Sequence, residues 1–234
     1  MPKLVILVTG SNRGIGRELV AQLADSGHTV LLAARRRDAA AEAAEELTAH
    51  RPTRTVVPVE LDVNNPESVT RAADTVRSRF GSLDILVNNA AIHFDAFQNA
   101  TDADLGIVAE ALQTNLVGTW RVIQAFLPLL RSSDTPRIVN VSSEQASLER
   151  MGTGAPAYRT SKTAVNALTR VLAAELVDDG FVVHAASPGW TATDMGGEGG
   201  RPIADGAASI RQVIELAADA GTGRFFQDGI ELPW

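Results

Sequence analysis

Short apolar runs and longer stretches of helical periodicity alternate along almost the whole chain. Each run is continuously apolar rather than interleaved with polar residues, which is typical of strands buried on both faces of a parallel sheet. Seven strands are predicted: Leu4–Val8, Val30–Ala34, Val56–Leu61, Ile85–Asn88, Ile138–Val141, Val182–Ala186 and Arg224–Gln227.

Six helices are predicted between these runs, where apolar residues recur every three or four positions. Asp38 is a suitable N-cap for the second, and Pro156 opens the fifth, where proline is tolerated in a first turn. The predicted helices are Arg17–Ser26, Asp38–Ala49, Pro66–Phe80, Asp102–Pro128, Pro156–Val177 and Asp205–Ala217.

The alternation of strand and helix predicts an α/β fold in one domain over residues 1–234. Right-handed crossovers make this a doubly wound parallel sheet of about seven strands with helices on both faces. Ligands of such sheets bind beyond the carboxyl ends of the strands.

Composition narrows the chemistry that the chain can carry. The chain of 234 residues has no cysteine and a formal net charge of −7. Disulfides, thiolate nucleophiles and Cys-based metal sites are therefore excluded, and the four histidines lack metal-ligand spacing, so no metal is expected. The acidic balance argues against nucleic acid and anionic membranes as partners. Because Leu4–Val8 is too short for a signal peptide or a membrane span, a cytoplasmic protein is expected.

A glycine-rich turn follows the first strand, with Gly10, Gly14 and Gly16 in a G-x-x-x-G-x-G spacing. Glycines let the backbone approach a pyrophosphate, whose charge the amides of the following helix stabilise. The spacing differs from the general G-x-G-x-x-G fingerprint, and a purely structural strand-to-helix turn is the alternative.

Arginines, not an acid, follow the second strand, where an NAD site would place a carboxylate against the ribose. A guanidinium matches a phosphate bidentately, so Arg35, together with Arg13 of the glycine turn, is predicted to hold the 2′-phosphate of NADP. Arg36 and Arg37 are interpreted as solvated. Asp38 as a ribose acceptor is the alternative, and it would reverse the cofactor preference.

Ser143, Tyr158 and Lys162 form a third candidate cluster. Tyr158 and Lys162 are four residues apart on a predicted helix and therefore share one face. A nearby ammonium, helped by an oxidised nicotinamide, favours the phenolate and would bring the pKa of tyrosine, ordinarily about 10, towards the working range. Such a pair also occurs by chance on helix surfaces.

Taken with Asn88-Asn89-Ala90-Ala91, Asn115 and Pro188-Gly189, these motifs resemble the short-chain dehydrogenase/reductase family over essentially the whole chain. The resemblance implies a Rossmann-type fold, and Ala91 departs from the glycine usual there. It also implies a set of cofactor-binding residues. These are Gly10, Asn12, Arg13, Gly14, Ile15, Gly16, Arg35, Asp62, Val63, Asn89, Ala90, Tyr158, Lys162, Pro188, Gly189, Thr191 and Thr193.

The same resemblance implies four catalytic roles. Ser143 would orient a substrate carbonyl, and Tyr158 would donate its proton to the developing alkoxide. Lys162 would hold the nicotinamide ribose and tune Tyr158, and Asn115 would complete a water-linked proton relay. The Pro188-Gly189-Trp190 segment and the terminal Pro233-Trp234 are similar to the carbonyl-reductase-like branch. A homodimer or homotetramer, formed through the Asp102 and Pro156 helices, stays open.

The substrate pocket is assigned from proximity to these motifs, with a substrate loop over about residues 190–205. Its glycine-rich part, residues 196–200, is either a lid or an inert loop. Glu144 is either a pocket carboxylate or a turn residue, and His93 is interpreted as a loop histidine. The expected lining is His93, Phe94, Gln145, Leu148, Met151, Trp190 and Met195.

The leading hypothesis is an NADP(H)-dependent carbonyl reductase or alcohol dehydrogenase that acts on a ketone or aldehyde. A nucleotide-sugar epimerase or dehydratase usually adds a large C-terminal domain, but only 45 residues follow Gly189. A non-catalytic NADP-binding sensor would be expected to lose the Tyr158–Lys162 pair.

Overall fold

The strands form one eight-stranded sheet in a computed structural model that describes residues 3–49, 51–217 and 221–234. The strand order is β3-β2-β1-β4-β5-β6-β7-β8, and all neighbours are parallel except β7 and β8. The strands are β1 Val5–Val8, β2 Thr29–Ala34, β3 Thr55–Glu60, β4 Ile85–Asn88, β5 Arg137–Val141, β6 Val182–Ala186, β7 Arg224–Gln227 and β8 Ile230–Glu231. The predicted fold class is confirmed.

Seven α-helices are found in the described ranges. They are α1 Gly14–Asp25, α2 Arg37–Thr48, α3 Pro66–Phe80, α4 Leu105–Ala111, α5 Thr119–Leu130, α6 Pro156–Leu176 and α7 Ile203–Ile214. A π-helical segment, Leu112–Gly118, joins α4 to α5, and a 3₁₀ turn spans Glu144–Ala146.

Three expectations about these elements are wrong. The single helix predicted over Asp102–Pro128 is divided by the π-helical segment. Helix α1 begins at Gly14 rather than Arg17, because packing of the glycine turn overrides the low helix propensity of glycine. Asp38 is not an N-cap: Arg36 has the extended cap conformation, and Asp38 lies in the first turn of α2.

Neighbouring residues of one strand pack into the two opposite layers, as the side-chain period of two requires. Ile6 and Val8 of β1 join the core under α1, α2 and α7, whereas Leu7 joins the core under α3, α5 and α6. The central strands are thus buried on both faces, which explains their continuous apolar runs. Within the described part of the chain, no helix is long and apolar enough to cross a membrane.

The buried imidazole of His184 makes the stability of this sheet depend on pH. His184, on β6, is 1% exposed, and its Nδ1 accepts the backbone N–H of Arg224 at 3.2 Å. Burial, with the nearby positive charges of Arg137 and Arg224, lowers the pKa of His184 to about 4. An unfolded chain, whose histidine has a pKa near 6.5, therefore binds more protons between these two values than the folded chain does.

We expect stability to fall as the pH drops below about 6.5, with His184 accounting for about 2 kcal/mol between pH 8 and pH 5. Urea unfolding at both pH values measures the loss, and His184→Asn, which cannot titrate, provides the reference. An equal loss in both proteins would show that His184 is not responsible.

Candidate active site

The glycine turn between β1 and α1 packs directly on the chain that leaves β4. Gly10 has a positive φ of 60°, and a Cβ there would lie 2.8 Å from the Cα of Ala90. A Cβ at Gly16 would lie 2.5 Å from Nδ2 of Asn89. Larger residues at these two positions would push the turn away from β4, so glycine is required for the close approach.

Asn89 and Thr9 hold this turn in place. Nδ2 of Asn89 donates to the carbonyl oxygens of Thr9 and Gly10, at 2.9 and 3.0 Å. Oγ1 of Thr9 in turn accepts the backbone N–H groups of Asn89 and Ala90, both at 3.0 Å. The predicted binding residues Gly10, Asn89 and Ala90 therefore belong to one rigid unit.

The start of α1 leaves its first-turn N–H groups available. Arg13, at the N-cap position, is extended and makes no side-chain cap hydrogen bond. The first N–H groups of a helix have no acceptor within the helix, and the positive end of the helix dipole lies there. Gly14, Ile15 and Gly16 therefore form a cradle that suits a phosphate or pyrophosphate.

Arg35 and Arg36, which follow β2, differ in their partners. Arg36 pairs with Asp38 through two contacts, at 3.0 and 2.5 Å, and this pairing lowers the pKa of the Asp38 carboxyl to about 2. Arg35 is exposed and makes no ion pair with another described residue. Its guanidinium is thus available to an anion, whereas Asp38 is already engaged.

Arg13 contacts the loop on the far side of the cleft. Its Nη1 lies 2.8 Å from Oδ2 of Asp194, and both side chains are mostly exposed. An exposed pair of this kind contributes little stability, so Arg13 can exchange Asp194 for a stronger anion at small cost.

A groove lies beside the end of β3. The side chain of Asp62 accepts the N–H of Asn64 at 2.9 Å. The buried Val63 packs against Gly118, and a Cβ added at Gly118 would lie 2.9 Å from Cγ2 of Val63. The adjoining open groove measures about 520 Å³. It is lined by Asn64, Ile92, Ala109, Glu110, Gln113 and Thr114.

Lys162 lies over the face of the Tyr158 ring, one turn along α6. Its ammonium is buried, donates to the carbonyl oxygen of Val141 at 2.7 Å, and lies 5.9 Å from the centroid of the Tyr158 ring. Burial lowers the pKa of Lys162 to about 8. The i, i+4 spacing therefore brings the two side chains together as predicted.

Without a bound nicotinamide, the surroundings of Tyr158 do not lower its pKa. Burial raises the pKa of Tyr158 above 10.0, and the hydrogen bond with Ser143 offsets only part of this increase. The ammonium of Lys162 lies over the ring face and donates to Val141, so the protein alone leaves Tyr158 protonated at neutral pH. The expected shift towards neutrality is therefore not produced by these side chains.

Asn115 lies in the π-helical segment and joins two parts of the site. Its Oδ1 accepts the N–H of Ile92 at 2.8 Å, and its Nδ2 donates to the carbonyl of Ile92 at 3.1 Å. Nδ2 also lies 3.0 Å from the hydroxyl of Ser161, which donates to the carbonyl of Tyr158 at 2.9 Å. Such π-helical insertions are frequent at functional sites.

One pocket contains Ser143 and Tyr158 together with the chain after β6. Phe94, Gln145, Trp190 and Met195 line it as expected, but His93, Leu148 and Met151 are not among its described lining residues. His93 instead contacts Glu110 at 2.9 Å, and Leu148 is exposed. The full lining is Ile15, Phe94, Ser143, Glu144, Gln145, Tyr158, Pro188, Gly189, Trp190, Thr191, Thr193, Met195 and Gly196.

The loop after β6 lines this pocket and is held in place by hydrogen bonds of Arg201 and Trp190. Arg201 donates to the carbonyl of Pro188 at 2.8 Å and pairs with Asp228 at 2.8 Å. Nε1 of Trp190 donates to the carbonyl of Gly196 at 2.9 Å. The predicted loop of residues 190–205 ends earlier, because α7 begins at residue 203.

Asp95 is a residue of the site that the sequence did not indicate. It follows β4 in a loop, yet its buried carboxylate contacts the start of α6, 62 residues further on. No local sequence pattern predicts a contact between residues so far apart in the chain. Among the described residues, no group of acidic or histidine side chains is arranged to hold a metal ion.

Comparison with known proteins matches this chain to one family along most of its length. The family model for short chain dehydrogenases matches residues 4–202. Short-chain dehydrogenase anuI of Penicillium roqueforti is 36% identical over 236 residues, which covers 96% of this chain and 92% of that protein. Salutaridine reductase of Papaver bracteatum is 33% identical over 297 residues, covering 97% and 94% of the two chains.

The solved structures include NADPH-bound carbonyl reductase from chicken fatty liver. It superimposes with a TM-score of 0.89 at 28% identity, and the match covers 100% of this chain and 95% of that chain. The agreement therefore extends over the whole sheet and both helical layers.

Proposed function

Since the chain belongs to the short chain dehydrogenase family, we propose that it is an NADP(H)-dependent carbonyl reductase that reduces a ketone or aldehyde, with Tyr158 as the proton donor. The observation that carries the proposal is that Tyr158, Ser143 and Ile15 of the glycine turn line one pocket, with Lys162 over the face of the tyrosine ring. An epimerase, a dehydratase or a non-catalytic sensor has no comparable support.

The residues present fit NADP(H). The cradle of Gly14, Ile15 and Gly16 would hold the pyrophosphate, and Arg35 with Arg13 would hold the 2′-phosphate. Asp62 and Val63 would contact the adenine, beside the open groove. Pro188, Gly189, Thr191 and Thr193, which line the pocket beside Tyr158, would hold the carboxamide end.

NADPH, when bound, supplies the hydride that reduces the carbonyl carbon. Tyr158 donates its phenolic proton to the carbonyl oxygen, and the hydroxyl of Ser143 donates a hydrogen bond to the same oxygen. Lys162, whose ammonium lies 5.9 Å from the ring centroid and donates to the carbonyl of Val141, would hold the nicotinamide ribose. Asn115 would complete the water-linked relay that returns a proton to Tyr158. A phenol protonated at neutral pH suits the reductive direction.

The direct test follows the loss of NADPH absorbance at 340 nm with a panel of ketones and aldehydes, each assayed also with NADH. We expect turnover with NADPH and a much lower rate with NADH. Tight NADPH binding without turnover of any compound would favour a sensor and reject the reductase.

The presence of Glu144 in the pocket leads to a prediction about the charge of the preferred substrate. Of the described residues that line the pocket, Glu144 alone carries a carboxyl group, and none carries a lysine, arginine or histidine side chain. We expect a cationic ketone to be preferred over an anionic one of the same size, because like charges at close range repel. The aromatic side chains of Phe94 and Trp190, which line the pocket, favour a substrate whose remaining surface is apolar.

Three acetophenones that differ in their para substituent provide a matched series. The dimethylaminomethyl compound is cationic, the isobutyl compound is neutral and the carboxymethyl compound is anionic. In Glu144→Gln we expect the ratio of kcat/KM between cation and anion to fall by about tenfold, which corresponds to about 1.4 kcal/mol. Glu149→Gln, at an exposed site outside the pocket, is the control. An unchanged ratio in Glu144→Gln would remove Glu144 from substrate selection.

A further inference from the structure

The start of α6 lacks a cap from its own neighbouring residues. Ala155, at the N-cap position, has a left-handed conformation with φ of 49° and no side-chain cap, and Pro156 has no N–H to donate. The next two N–H groups are both bound by Asp95: Ala157 donates to its Oδ2 at 2.9 Å, and Tyr158 donates to its Oδ1 at 3.0 Å. A carboxylate from a distant loop thus replaces the missing cap.

The carboxylate of Asp95 is isolated from solvent as well as directed at the helix. Asp95 is 1% exposed, and among described residues its side chain is in contact with N–H donors and not with a basic group. Gln98 supplies the third donor, at 3.1 Å from Oδ2. A buried carboxylate is tolerated when it accepts several hydrogen bonds, and the positive end of α6 adds to its stabilisation.

The residues on either side connect this carboxylate to the reacting group. The ring of Phe94 packs edge-on against the ring of Tyr158, with centroids 5.4 Å apart and planes at 86°. Ile92, three residues before Asp95, is held by both polar atoms of the Asn115 amide. Residues 92–95 therefore contact the backbone and the ring of Tyr158 at once, and Asn115 anchors the segment.

We propose that Asp95 is a positioning residue for Tyr158: by binding the first N–H groups of α6, it fixes the height and direction at which the phenol enters the pocket. The proposal deepens the proposed reductase function and rests on it for its kinetic consequence. Misplacement of a reacting group by about 1 Å can lower a rate by about 100-fold.

The single tyrosine of the chain permits a test that does not depend on turnover. With tyrosine labelled by ¹³C at Cζ, the protein has one such resonance, which reports Tyr158 alone. In Asp95→Ala we expect this resonance to shift or broaden, kcat to fall by about 10- to 100-fold, and the Kd for NADPH to stay within about twofold. Asp95→Asn keeps one acceptor oxygen, so an intermediate kcat is expected.

Asp84→Ala is the matched control. Asp84 also accepts a backbone N–H, that of Val5, at 2.7 Å. It immediately precedes the central strand β4, at the amino end of that strand, whereas the pocket lies beyond the carboxyl ends of the strands. We expect it to lower the melting temperature and to leave both kcat and the tyrosine resonance unchanged. If Asp95→Ala does not fold, Asp95→Asn carries the comparison.

Two results would overturn the proposal. One is an Asp95 variant with unchanged resonance and kcat, and the other is an equal loss of kcat in Asp84→Ala. Failure of the wild-type protein to reduce any carbonyl compound would instead reject the proposed function, and the tyrosine resonance would still test the role of Asp95.

Discussion

Replacing Tyr158 with phenylalanine is expected to lower kcat for carbonyl reduction by about 10³-fold or more, because it removes the proton donor, whose contribution is typically 10²- to 10⁴-fold. The ring contacts with Phe94 and Lys162 are kept, so the fold and the Kd for NADPH should be nearly unchanged. Stopped-flow reduction and NADPH fluorescence titration measure the two quantities separately. Residual activity above about a tenth of the wild-type rate would mean that another acid operates.

Tyr158→Phe is also the control for a spectroscopic titration of the Tyr158 phenol. Because Tyr158 is the only tyrosine, absorbance near 295 nm on raising the pH reports its pKa without interference from other phenols. We expect a midpoint above 10, since burial disfavours the phenolate, and no transition in Tyr158→Phe. A midpoint near neutrality in the wild-type protein would contradict the burial argument.

Replacing Arg35 with alanine is expected to raise the Kd for NADPH by about 10- to 100-fold and to leave the Kd for NADH nearly constant. Only NADPH carries the 2′-phosphate, and hydrogen bonds between charged groups contribute about 1.5 to 3 kcal/mol. Titration of both cofactors, at low and at moderate salt, measures the selectivity and its electrostatic origin.

Arg36→Ala is the matched control for Arg35. It removes the same side chain one residue away, but this guanidinium is already paired with Asp38. We expect a change in NADPH affinity of less than about threefold, as exposed pairs contribute little. Equal weakening of NADPH and NADH by Arg35→Ala would reject the assignment of the 2′-phosphate.

Among the elements that were not predicted, strand β8 has a local signal in the sequence and the π-helical segment does not. Strand β8 follows Asp228 and Gly229, which both have positive φ, and an Asp-Gly pair is a strong indicator of a tight hairpin. The π-helical segment has no such signal, because the apolar period continues through it. Its extra residue per turn becomes visible only when the hydrogen bonds are known, and it determines where Asn115 lies.

The amino-acid sequence by itself determined the features that depend on neighbours in the chain. Continuous apolar runs separated by amphipathic stretches predict a buried parallel sheet, and glycines at residues 10, 14 and 16 predict a close turn. The four-residue spacing of Tyr158 and Lys162 predicts their shared helix face. Each of these follows from the period of a regular element or from the freedom of one residue.

Only the tertiary structure decided what depends on burial and on contacts between distant residues. Burial raises the pKa of Tyr158 where the nearby ammonium alone predicts a decrease, because desolvation depends on everything packed around the ring. The pairing of Asp95 with α6 and of Asn115 with Ile92 depends on which chain ends the sheet brings together. A sequence lists the groups that can bind, but the fold determines which of them meet and how much water remains between them.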